Sequence, residues 1–96
     1  MRDKLHLILI DCLKENIENK QILKSLDSEG ENFKIMSNCD SLTLVSILVD
    51  FEAEIQDEFG LMILISSDRA MSERGPFYDI QSLLNFTQTL INEELL

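Results

Sequence analysis

The stretch that decides the fold is DSLTLVSILVDFEAEIQDEFG, residues 40–60. On a helical wheel at roughly 100° per residue, with Leu42 at the origin, six apolar side chains gather between about 140° and 260°. They are Ile47, Phe51, Leu44, Ile55, Leu48 and Phe59. Val45, Val49 and Leu42 carry the apolar surface on round to about 360°. Thr43, Ser46, Asp50, Glu54 and Asp57 fill the opposite side. The spacing predicts a helix over 41–59, with Asp40 as its N-cap and Gly60 as its stop. An apolar arc of about 220° is roughly twice what a surface helix needs. Either the long preceding loop covers the excess, or Leu42, Val45 and Val49 form an exposed edge bordered by carboxylates. The second arrangement is a recognition surface for a basic partner.

Working outward, Leu5, Ile8, Leu9, Cys12 and Ile17 recur at helical spacing and predict a first helix over about 3–19. Ile22, Leu23 and Leu26 either extend it or form a separate turn. SLDSEGENFKIMSN (25–38) reads as a loop, with Phe33, Ile35 and Met36 pinning it to the core. A calcium loop starting at Asp27 is excluded, because the sixth position is Asn32 and the twelfth is Asn38 where a bidentate Glu is required. LMILI (61–65) has no second strand to pair with and reads as an extended, buried connector. SSDRAMSER (66–74) predicts a short helix, broken at Gly75-Pro76. A last helix starts near Asp79, with Ile80, Leu83, Leu84, Thr87, Leu90, Ile91 and Leu95 on one stripe. The expected architecture is all-α: a single domain over 1–96, a four-helix bundle of three longer helices and one short one.

The net charge of −10 excludes direct nucleic-acid binding, which needs a basic surface. Most of that charge is concentrated: residues 27–68 hold ten acids and one base, Lys34, and account for −9. An electrostatic docking surface for basic protein partners is therefore expected there. Cys12 and Cys39 lack the spacing of a zinc or redox motif. The apolar run LHLILI (5–10) is too short, and too acidic at its borders, for a signal peptide, and no stretch is long enough to span a membrane. A cytoplasmic protein, monomeric and not inserted in membranes, is expected.

Ser41 stands at the mouth of the decisive helix. A catalytic serine needs a base and an oxyanion hole, but the one histidine, His6, lies in the first helix and no nucleophile elbow surrounds Ser41. The chain is expected not to be an enzyme. If Asp40 caps the helix, the Ser41 hydroxyl is left free. A free hydroxyl at a helix N-terminus suits covalent attachment of a phosphate, whose charge the helix end favours.

The segment DSLTLVSILVDFEAEI (40–55) resembles the phosphopantetheine attachment segment of acyl carrier proteins. Asp40, Ser41, Leu42, Val45, Val49 and Glu52 fall on the matching positions. The resemblance implies that Ser41 carries a 4′-phosphopantetheine arm taken from coenzyme A, with Asp40 preceding it as in the family. It also implies that Leu42, Val45, Val49 and Glu52 belong to the partner-recognition surface, to which we add the neighbouring Asp50. The implied fold is an acyl-carrier-like bundle of three longer helices plus a short one. The implied partners are a phosphopantetheinyl transferase and acyl-loading and acyl-processing enzymes with basic docking patches. Ile47, Phe51, Ile55 and Met62 are candidates for a pocket that shelters an acyl chain.

The resemblance covers roughly residues 33–95. Three departures accompany it. The family's glycine three residues before the serine is Asn38, a residue that tolerates a left-handed backbone. The helix is longer by about a turn, ending at Phe59-Gly60 rather than at Ile55. The region 66–86 is longer than in typical fatty-acid carriers and resembles a divergent subfamily, of the kind serving polysaccharide modification or secondary metabolism. Fatty-acyl and aminoacyl cargo both stay open. The alternative from another class is an unmodified acidic helical adaptor that uses the same helix only to dock a partner.

Overall fold

The computed structural model describes residues 2–63 and 79–95, and all regular structure among them is helical. Helices α1 (Arg2–Asn16), α2 (Lys20–Glu29), α3 (Ile35–Asn38, a single turn), α4 (Ser41–Phe59) and α5 (Ile80–Leu95) follow in order, with a 3₁₀ turn at Gly30–Asn32. The architecture is a small all-α bundle.

The core is built from one face of each long helix. Leu5, Leu9, Cys12 and Leu13 of α1 meet Leu44, Ile47, Leu48, Phe51 and Ile55 of α4, and α5 adds Ile80, Leu83, Leu84 and Ile91. Such burial, at about 25 cal/mol per Å² of apolar surface, is the dominant favourable contribution to the fold. Thr87 is buried on the same stripe of α5, where its hydroxyl donates to the Leu83 carbonyl at 2.8 Å. A buried hydroxyl needs such a partner.

α1 runs antiparallel to α4, since Lys4 pairs with Glu58 at one end and Asn16 Nδ2 donates to Asp50 Oδ2 at 2.9 Å at the other. Arg2 ties α1 to two further elements, donating to Glu31 and to Asn85. α5 is anchored at its start by the Ile80 amide, which donates to the Phe33 carbonyl at 3.1 Å. Phe33 and Ile35 are fully buried, so the segment between α2 and α4 is pinned to the core at these two residues.

Two boundaries differ from the sequence reading. The first helix ends at Asn16, and α2 is a separate helix whose N-cap Asn19 accepts from the amides of Gln21 and Ile22. α2 continues through Ser25–Glu29, read above as loop, because Leu26 is buried there and outweighs the low helix propensity of its Ser and Asp neighbours. The connector after α4 is only partly buried: Ile63 is in the core, but Met62 is 71% exposed. The expected short helix over 66–74, its Gly75-Pro76 break and residues 64 and 65 lie outside the described residues.

Gly60 ends α4 in the left-handed conformation, φ 68° and ψ 21°, with its amide donating to the Gln56 carbonyl. No other residue adopts that backbone so readily. No described helix is long and apolar enough to cross a membrane.

Candidate functional site

The candidate site is the N-terminus of α4. Asp40 has extended backbone, φ −75° and ψ 172°, and its Oδ1 accepts from the Thr43 amide at 2.7 Å while its carbonyl accepts the first helical bond from Leu44. The Thr43 bond holds the Asp40 carboxyl below the usual carboxylate range, since it favours the charged form. Ser41 is thus the first helical residue and is exposed. No hydrogen bond engages its hydroxyl among the described residues, because the capping role is filled by Asp40.

The depressed Asp40 carboxyl gives a pH prediction. A lowered folded-state pKa stabilises the protein above the unfolded value, about 3.9, and that contribution is lost as the pH falls through the folded value. Asp40→Ala is expected to lower the midpoint of thermal unfolding at neutral pH, with the gap to wild type closing in acid. Asp40→Asn, which keeps an acceptor without the charge, is expected to restore most of the cap. Circular dichroism melts from neutral to acid pH read the result.

Beyond Ser41 the apolar arc of α4 divides in two. Leu44, Ile47, Leu48, Phe51 and Ile55 are in the core, whereas Leu42 is 79%, Val45 40% and Val49 50% exposed. Of the two arrangements open from sequence, the exposed edge is the one present. Glu52, half-buried, borders the same edge beside Val49. Asp50 does not join it. The Asn16 bond turns Asp50 toward α1, on the other side of the helix from Val45 and Glu52.

Of the four residues expected to line an acyl pocket, Ile47, Phe51 and Ile55 are fully buried among core neighbours and line none of the cavities described below. Met62 is apart from them. It borders an open hollow of about 240 Å³ with Val49, Glu52, Ala53, Gln56 and Ile63. Sequence spacing alone had no means of finding this hollow, because it depends on how the chain leaves Gly60.

Among the described residues, no partner for nucleophilic chemistry reaches Ser41. The antiparallel register sets His6 beside the C-terminal half of α4, roughly 20 Å along the helix from its first residue at 1.5 Å per residue. Burial first, and then the carboxylates of Asp50, Glu54, Glu15 and Asp11, push the Cys12 thiol up to about 12. Burial and then Asp40 also raise Cys39, which is half-buried. Both thiols are held in their unreactive, protonated form at neutral pH.

A hydroxyl presented at a helix N-terminus, beside an exposed apolar edge and a carboxylate, can accept a group brought by another protein docked on that edge. Comparison with protein-family models, with curated proteins and with solved structures returns no match, so the physical reading of this site stands on the chain itself.

Proposed function

We propose that this chain is a carrier protein, modified at Ser41 with 4′-phosphopantetheine and acting in the cytoplasm as a monomer. The observation that carries the reading is the Ser41 hydroxyl, exposed and without a hydrogen bond among the described residues, at the first position of a 19-residue helix, with Asp40 already serving as cap. The Asp-Ser-Leu resemblance supplies the identity of the group. When attached, the arm supplies a terminal thiol that holds an acyl or aminoacyl group as a thioester.

In the attachment step the Ser41 oxygen attacks the phosphorus of coenzyme A nearest the pantetheine. A P–O bond forms to Ser41, the P–O bond to 3′,5′-ADP breaks, and the serine proton is released to a base of the transferase. The transferase and its Mg²⁺ provide activation in trans, which is why Ser41 needs no histidine of its own. The amides at the start of α4 favour the phosphodiester charge. Leu42, Val45 and Val49 offer the docking edge, and the chain serves its partners by delivering cargo at high effective concentration rather than by catalysis.

The test is intact mass after incubation with coenzyme A, Mg²⁺ and a broad-specificity phosphopantetheinyl transferase. A gain of one phosphopantetheine supports the carrier. The exposure of Leu42, Val45 and Val49 also favours a second reading, the unmodified acidic adaptor, because that edge exists without any modification. No gain with several transferases leaves the adaptor and rejects the carrier.

Docking is expected to be electrostatically assisted. Glu52→Lys is expected to slow loading several-fold at low salt, with the difference shrinking at about 1 M, where the screening length is about 3 Å. Asp50→Lys breaks the Asn16 bond as well and is expected to lower stability. Equal loading rates of wild type and Glu52→Lys at low salt contradict the docking role.

A further inference from the structure

We propose that the two hollows on either side of Met62 and Ile63 together receive one basic amphipathic helix of a protein partner. This inference stands apart from modification at Ser41. The first hollow, on the α4 side, is the one of about 240 Å³. The second, about 220 Å³, lies on the α5 side and is lined by Met62, Ile63, Leu90, Glu93 and Glu94. Met62 and Ile63 border both, so the hollows adjoin across a shared apolar ridge. The exposed, unbranched Met62 side chain is the kind that adapts to an incoming apolar surface.

Charge selects the occupant. α4 and α5 contain no lysine or arginine, and no ion pair neutralises Glu93 or Glu94 among the described residues. On α1, Arg2, Lys4 and Lys14 pair with Glu31, Glu58 and Asp27. A second copy of this chain, also at −10, is repelled from this surface, and so is an anionic membrane. A helix with apolar side chains on one stripe and Lys or Arg along its flanks satisfies both features. Its apolar stripe enters the hollows, and its bases meet Glu93 and Glu94.

The test is titration of the ¹⁵N-labelled full chain with a synthetic peptide of leucine and lysine, patterned as an amphipathic helix. The expected result is saturable binding of one peptide per chain, with shifts centred on Met62, Ile63, Leu90, Glu93 and Glu94. Met62→Asp and the double variant Glu93→Lys/Glu94→Lys should each weaken binding by about tenfold or more. Both change exposed positions, so the fold is retained. Leu7→Asp, at an exposed leucine of α1, should leave binding unchanged. Equal binding of a scrambled peptide of the same composition overturns the proposal. So do shifts centred elsewhere, or affinities that neither variant at the hollows alters.

Discussion

Ser41→Ala is expected to retain the fold and to abolish loading altogether, so that its mass after incubation with coenzyme A and transferase equals its mass before. Both halves follow from the geometry at the start of α4. The side chain is exposed and bonds to nothing among the described residues, and the capping bond belongs to Asp40. Alanine is also the best helix former, so the substitution leaves α4 unharmed. Folding and modification are thereby separable: circular dichroism should superimpose on wild type while the mass gain disappears. A mass gain that persists in Ser41→Ala would place the attachment elsewhere and remove the carrier reading. Asp40→Ala differs, since it weakens the first turn of α4 before any enzyme arrives.

Phe51→Ala is expected to destabilise the fold by about 3–5 kcal/mol, through lost transfer energy and the cavity left behind. Phe51 is fully buried at the middle of α4, the helix against which α1 packs along its length. Single domains are stable by only about 5–15 kcal/mol, so this one change removes a large fraction of the total. Val49→Ala, two residues earlier on the same helix, removes a side chain that is half exposed and is expected to cost under about 1 kcal/mol. Urea titration followed by circular dichroism measures both. Equal midpoints for the two variants would mean that the division of the apolar arc into a core side and an exposed side is wrong.

That division marks how far the site was legible beforehand. Asp40 as cap, Gly60 as stop and the helix between them were all readable, because each depends on bonds within a few residues of the chain. The core assignments of Ile47, Phe51 and Ile55 were readable from their period. The direction of Asp50 was not. Its carboxylate lies on the polar side of α4 in any wheel, and only the arrival of Asn16 from α1 turns it into an interhelical bond. α2 was hidden for a similar reason. Ser25, Asp27 and Ser28 in its second half are poor helix formers, and the burial of Leu26 against the rest of the bundle carries the helix through them.

By itself, then, the sequence determined the helical class, the bounds of α4, the stripe of α5 including Thr87, and Asp40 as the cap beside Ser41. Tertiary structure alone decided that Leu42, Val45 and Val49 are left outside, that Met62 is exposed between two hollows, and that Arg2 links α1 to Glu31 and Asn85. The physical reason is range. Caps, stops and periodicity are written in residues three or four apart, whereas exposure depends on which distant helix comes to cover a given face.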